Sequence, residues 1–276
     1  MQDIQIIYII VLLITGIAVG FASGLLGVGG CFIMVPVQLW VLTSMGLDPT
    51  IATRVAFGTS LAVVLPTAFS GCHGHSCLGA VLWRPGVILG ISGMAGAFIG
   101  GSIAAHLPGD VLKLIFGLAV LAGALRMLLA GKIRPGQSRD STFYYVLWGF
   151  PLGFVSGLSG IGGGVLMVPA MVVAMGFTMH QAVGTSSLGI AFNALGGILS
   201  YALNGWGAPG LPPYSIGYID LLQLALLAGT SIPMAQVGAK FAHRLPGEQL
   251  RFVFIVLMLY VSLNMIGVFQ WLHLPL

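Results

Sequence analysis

The sequence predicts an all-α polytopic membrane protein built from two inverted repeats of about five hydrophobic segments each, with helices broken or folded into re-entrant hairpins at glycine-rich motifs. Three observations lead there. Hydrophobic residues make up 58% of the 276 and charged residues 6%, and the mean hydropathy is +1.05, so polar groups are too few to cover a water-facing surface. Apolar segments of bilayer-spanning or half-spanning length run at about 4–22, 31–47, 55–71, 85–105, 111–130, 143–157, 164–177, 182–203, 218–239 and 250–272, which makes two sets of five. The third observation is duplication. "GFASGLLGVGGCFIMVP" (20–36) and "GFVSGLSGIGGGVLMVP" (153–169) agree at 11 of 17 positions. "AFGTS" (56–60) then matches "AVGTS" (182–186), and "LPGDVLKLIF" (107–116) matches "LPGEQLRFVF" (245–254), in the same order.

The only long charged stretch, "GKIRPGQSRDS" (131–141), divides the chain near its middle. This places a first transmembrane repeat at 1–130, a cytoplasmic linker at 131–142 and a second repeat at 143–276. With an odd number of crossings per half, Arg84, Arg126, Lys132, Arg134, Arg139, Lys240, Arg244 and Arg251 collect on the cytoplasmic side and only Arg54 and Lys113 fall outside. Eight against two is the positive-inside bias of a correct assignment. A parallel four-span repeat would put charged loops on both faces. The first two segments of each half are short enough to be either two crossings or one re-entrant hairpin, and parity survives either choice. "MQDIQIIYII" has no basic region before its apolar stretch, so the first segment is read as retained and not as a cleaved signal.

Net charge is +4, but the ten basic residues form no stripe, so no nucleic-acid partner is expected; the partners implied are the lipid bilayer and a small anionic substrate, and homo-oligomer formation is compatible with these features. Three cysteines are too few for a disulfide scaffold.

A helix break inside lipid is tolerated where the freed backbone groups pack in protein or line a wet cavity, and breaks at matching positions in two repeats point to a substrate site near the midplane. The helices starting near Gly30 and Gly163 would present free N–H groups and the positive end of a dipole worth about half an elementary charge. The competing reading is close helix packing, as expected for Gly86, Gly90, Gly93, Gly96 and Gly100.

At these residues the sequence resembles the TauE/SafE family of membrane transporters, also called the sulfite exporter or TSUP family. The resemblance covers nearly the whole chain: G-x-x-S-G-x-x-G-x-G-G-G with a downstream proline, then A-x-G-T-S, in each half. The first half departs from it with Cys31 where the second has Gly164. Membership implies transport of small sulfur-containing anions such as sulfite or organosulfonates, commonly as export, in the inner or plasma membrane of a prokaryote. A passive anion channel of the same architecture is the alternative.

The residues themselves support an anion. All six carboxylates (Asp3, Asp48, Asp110, Asp140, Asp220, Glu248) fall at segment ends or in loops, whereas an intramembrane carboxylate would mark a proton- or cation-driven carrier. Donors without formal charge remain: Ser23, Thr59 and Ser60 in one half, Ser156, Thr185, Ser186 and Ser187 in the other, with Asn193 on the same segment. Each hydroxyl is read either as a substrate ligand or as bonded to its own helix backbone. The candidate substrate-binding set is Ser23, Gly27, Gly29, Gly30, Thr59, Ser60, Ser156, Gly160, Gly162, Gly163, Thr185, Ser186 and Asn193. Arg54 and His180 precede the two A-x-G-T-S elements and are read as an anion attractor and a proton carrier, or else as a snorkelling arginine and an interfacial histidine.

"GCHGHSC" (71–77) holds four metal-ligand types, Cys72, His73, His75 and Cys77, but its spacing fits no zinc pattern. It lacks a counterpart in the second half, so a polar turn is expected ahead of a metal site or a regulatory disulfide or thiol contact, with no metal and no cofactor. The apolar segments contain no His/Asp/Glu constellation for catalysis, so no enzymatic activity is expected. The charge bias yields a topological test: in a cysteine-free variant of intact cells, a cysteine at Gly136 is shielded from an impermeant thiol reagent and one at Leu211 is labelled. The opposite pattern at both sites would invert the map.

Overall fold

The computed structural model of the chain describes residues 2–129, 141–160 and 162–267, so the linker charges Lys132, Arg134 and Arg139 and the residue Asp140 lie outside it. Ten helices follow in order: α1 (Gln2–Leu26), α2 (Cys31–Ser44), α3 (Pro49–Ser76), α4 (Trp83–Ala104), α5 (Gly109–Leu129), α6 (Thr142–Ser159), α7 (Gly164–Val173), α8 (Met179–Asn204), α9 (Leu221–Ala242) and α10 (Gly247–Ile266). Each expected segment corresponds to one helix. The addition is a two-residue antiparallel ribbon, β1 (Ser215–Ile216) and β2 (Ile219–Asp220), in the loop before α9. Six of the described helices (α1, α3, α4, α8, α9 and α10) are long and apolar enough to cross a membrane.

α3 and α8 form the centre: 83% and 78% of their most apolar stretches are buried, against 28% for α9. The contacts are exchanged between halves. α1 packs along α9 and α6 along α4, while α3 packs on α9 and α8 on α4. Interchanging α1–α5 with α6–α10 reproduces this pattern, and neither half closes a core without the other.

Glycine permits the long contacts to be close. A methyl group on Gly20 or Gly24 of α1 would enter the backbone of α9 at Ser231 or Ala235, and one on Gly153 or Gly157 of α6 would enter α4 at Gly93 or Ala97. Gly96 and Gly100 face the α6 backbone at Phe150 and Phe154, as the packing reading of the α4 glycines expects.

These contacts also set depth. α1 and α9 run parallel, with Gly16 at Leu227 and Gly24 at Ala235, and α6 and α4 run parallel, with Gly149 at Leu89 and Gly157 at Ala97. α1 therefore descends until Gly24 lies beside Gly71 and His75, near the end of α3. The chain then turns back, because Gly29 touches Val64 in the middle of α3. α6 does the same from the opposite side: Gly160 lies against Phe57 near the start of α3, and Gly162 returns to Val64. Each pair, α1–α2 and α6–α7, is thus a re-entrant hairpin. α2 and α7, with 14 and 10 residues, are about 21 and 15 Å long, short of the hydrocarbon thickness of about 30 Å.

Packing this tight is testable. Gly153→Ala should destabilise the detergent-solubilised protein by about 1–3 kcal/mol through overpacking, whereas Gly229→Ala, where nothing lies within 4 Å, should leave stability unchanged or raise it by up to about 1 kcal/mol. Thermal denaturation of the two variants should rank them in that order, and equal midpoints would refute the packing role.

Candidate functional site

The two breaks share one backbone conformation at their glycines. Gly27, Gly29 and Gly30 have φ of 64°, 79° and 71°, and their counterparts Gly160, Gly162 and Gly163 have 63°, 72° and 76°, a region open to glycine at little cost. In these turns the chain stops accepting its own hydrogen bonds. Among the described residues nothing accepts from the N–H groups of Gly29, Gly30, Cys31 and Phe32, nor from those of Gly162, Gly163, Gly164 and Val165. These are the orphan donors of two helix N-termini.

Both turns converge on one spot. A methyl group on Gly29 would touch Val64 at 3.2 Å and Ile190 at 3.6 Å, and one on Gly162 would touch both at 3.2 Å. Val64 and Ile190 are fully buried and hold equivalent places in α3 and α8, five residues after Thr59 and Thr185. The tips also touch each other: a methyl group on Gly164 would meet Val28 Cα at 2.5 Å and the Gly27 carbonyl at 2.7 Å.

Around the second tip the polar side chains are left open. Ser156 Oγ and both amide atoms of Asn193 are buried without a hydrogen-bond partner, and the Gly163 methyl position lies 3.1 Å from Ser156 Oγ and 3.2 Å from Asn193 Nδ2. Buried polar groups are normally paired, so an open hydroxyl and amide beside four free N–H groups form a donor set awaiting an acceptor. The first tip is closed by comparison. Thr67, in the place of Asn193, bonds Ser231 Oγ at 2.7 Å and the Val63 carbonyl at 2.8 Å, and Ser231 stands where the other half has Gly93. Ser23, the counterpart of Ser156, is buried near this tip.

The hydroxyls of the A-x-G-T-S elements have other partners. Thr59 Oγ1 accepts from the N–H of Asp220 at 2.9 Å and Thr185 Oγ1 from that of Leu82 at 3.0 Å. Each threonine thereby holds the N-cap residue of a helix from the opposite half, α9 or α4. Ser186 donates to the Gly27 carbonyl at 2.8 Å, fixing the first tip to α8. Ser60 donates instead to Gln38 Oε1 at 2.7 Å, and Gln38 Nε2 is buried and unpartnered. Ser187 bonds its own helix at Val183.

Arg54 and His180 are not brought to the tips. Arg54 lies over the Tyr218 ring at 5.8 Å and donates to its hydroxyl at 3.4 Å, at the end of the bundle that the charge bias places outside. His180 Nε2 faces the Ala242 and Leu245 carbonyls at 3.3 and 3.2 Å, at the other end. "GCHGHSC" is a helix end and not a turn, since α3 continues to Ser76, and His75 is fully buried there against His243. Sequence reasoning placed the end of this segment at residue 71 and so left His75 outside the apolar core. Among the described residues no group of three His, Cys, Asp or Glu is arranged to hold a metal ion.

Matched re-entrant hairpins with opposed helix N-termini at mid-depth suit the passage of a small solute across a membrane. The sulfite exporter TauE/SafE family model matches residues 12–265, and the chain belongs to that family. It is 30% identical to a protein of Haemophilus influenzae over 94% of this chain and 98% of that one. It is also 28% identical to one of Methanocaldococcus jannaschii over 95% and 94%, and 34% identical to one of Xylella fastidiosa over 70% and 74%. All three are named "probable membrane transporter protein". No solved structure matches. The chain is accordingly a multi-pass protein of the cell membrane.

The threonine latches and Asp220 yield a test. Thr59→Val strands a buried N–H and Thr185→Val a half-buried one, and the two should cost about 1–3 kcal/mol of stability, Thr59→Val the more, with recovery in the serine variants. Asp220 is buried; desolvation raises its carboxyl pKa, opposed by the N–H groups of Leu222 and Gln223 and the Gln223 side chain. A raised folded pKa means stability present at acid pH is lost as pH rises through the carboxylate range. Asn is an equally good N-cap, so Asp220→Asn should be at least as stable as the parent at pH 7, with the difference vanishing near pH 3. A marked loss at pH 7 would show that the charge itself is needed.

Proposed function

We propose that this protein is a secondary transporter that moves a small sulfur-containing anion, sulfite or an organosulfonate, out of the cell by alternating access around the two hairpin tips. In this reading residues 1–130 and 143–276 are inverted repeats joined by a cytoplasmic linker at 131–142. The observation that carries it is the donor set at the second tip: the N–H groups of 162–165, Ser156 Oγ and the Asn193 amide, all buried and without a partner among the described residues. The described carboxylates do not intrude, as Asp48 and Asp220 cap α3 and α9 and Asp3, Asp110 and Glu248 lie in the first turns of α1, α5 and α10. Uncharged donors bind an anion without holding it against release. Val64 and Ile190 fill the meeting point, so anion entry requires the tips to part, and parting on one side at a time is what a carrier needs.

The positive φ of Gly29 and Gly162 makes bulky replacements strained, so side-chain donors give the cleaner test. Ser156→Ala and Asn193→Asp should each weaken sulfite-dependent thermal stabilisation of the purified protein. The alanine variant should lose about 1.5–3 kcal/mol, a roughly ten- to more than hundredfold loss of affinity, and the aspartate variant at least as much, by adding a like charge. Parent-like binding in both would remove the second tip from the site. Counterflow of labelled sulfite, sulfoacetate, taurine, thiosulfate and sulfate in proteoliposomes then identifies the anion and separates carrier from channel, since a channel gives no trans-stimulation.

A further inference from the structure

Three histidines from different helices meet at the end of the bundle that the charge bias places in the cytoplasm. His75, in the last turn of α3, is fully buried. Its Nε2 lies 2.7 Å from the Gly24 carbonyl, in the last turn of α1 and three residues before the first tip begins. Its Nδ1 lies 3.1 Å from Nε2 of His243, the C-cap residue of α9. The His180 ring, from the start of α8, stacks obliquely on His243 with centroids 5.1 Å apart, and its Nε2 faces the Ala242 and Leu245 carbonyls.

Carbonyls only accept, so the tautomers follow. Nε2 of His75 and Nε2 of His180 carry hydrogen. The neutral His75 therefore has a lone pair at Nδ1, and His243 Nε2 supplies the hydrogen between them. The pair can take one further proton in either of two arrangements, but two added protons would set two N–H groups against each other at 3.1 Å. Three helix C-termini, those of α1, α3 and α9, end at the His75–His243 pair and their negative ends favour a cation there, while the N-termini of α8 and α10 lie behind it at His180.

Among the described residues, the groups whose charge opposes a proton at close range are the neighbouring histidines. α1 brings no titratable side chain here, α8 brings His180, and α9 brings His243. Lys240, Arg244, Glu248, His73 and Cys77 lie on the adjoining turns and are exposed to solvent, while Cys72 is a buried thiol. Burial, with His180 beside it, lowers the pKa of His243, so the site fills with a proton only below the usual imidazole range. His243 is half-buried and reaches solvent, so a proton has a path through it to His75 and the Gly24 carbonyl.

We propose that His75 and His243 form a binding site for a single proton, whose arrival strengthens the bond to the Gly24 carbonyl and sets the position of the first hairpin tip. Its use in transport rests on the anion reading above; its occupancy by a proton does not. The test uses the full-length protein purified in detergent with nitrogen-15-labelled histidine. Two histidine rings should titrate together in one single-proton step, and His243→Gln should abolish that step. Hydrogen exchange of residues 22–31 should slow at least threefold on acidification through the same step in the parent and not in His243→Gln or His75→Gln. In sulfite-loaded proteoliposomes containing a pH-sensitive dye, the two variants should lose most of the proton movement that accompanies sulfite. Independent titration of both rings, absence of any step above pH 4, or parent-like exchange in His243→Gln would each overturn the proposal. Absence of sulfite movement in the parent would refute the anion reading while the titration still decides the proton site.

Discussion

Everything in this fold depends on one constraint: backbone N–H and C=O groups in a hydrocarbon medium must be satisfied within the protein. Two hairpins that turn back inside the bundle and start their second helices at mid-depth violate it locally, and the rest of the architecture surrounds that violation. α3 and α8 are buried because they form the walls on which both tips rest. α4 and α9 are drawn across to the opposite half because each must cover a penetrating hairpin along its length. The glycines of α1, α4 and α6 let backbones approach closely, and the tips then fit between α3 and α8 with one valine and one isoleucine between them.

The two halves share a backbone but not a chemistry. Where the first half pairs Thr67 with Ser231, the second sets Asn193 against Gly93 and leaves the amide open. Where Ser186 ties down the Gly27 carbonyl, the corresponding Ser60 turns to Gln38. The first tip is therefore fixed by side-chain bonds and adjoins the histidine cluster, while the second adds unfilled side-chain donors to the free N–H groups that both tips share. On the proposed reading one hairpin binds the anion and the other answers to protonation, and the contact that both tips make with Val64 and Ile190 is where the two would be coupled.

The helices and the breaks were legible in the sequence because both are written in local signals: apolar segments, glycine pairs and a duplicated order. Ser156 and Asn193 were legible as polar residues repeated or placed on the right segment. The threonines were misleading in detail, since a hydroxyl that faces the pseudo-symmetric centre and one that holds an N-cap of the other half look the same along the chain. Val64 and Ile190 gave no chemical signal at all, being apolar residues among apolar residues, although their matched spacing from Thr59 and Thr185 was there to be read. His75 and His243 are 168 positions apart, and only folding brings them together. The short ribbon at 215–220 is too brief to produce alternation.

The central claim is that both tips meet at a point reachable from each side of the membrane in turn. Its most direct measurement is the accessibility of single cysteines at Val64 and Ile190, in a cysteine-free background, to impermeant thiol reagents applied from outside and from inside. The account predicts that each site is modified from both sides, that the two rates change in opposite directions when sulfite is present on one side only, and that saturating sulfite protects both. Modification of both sites from one side alone, with no effect of sulfite, would contradict it.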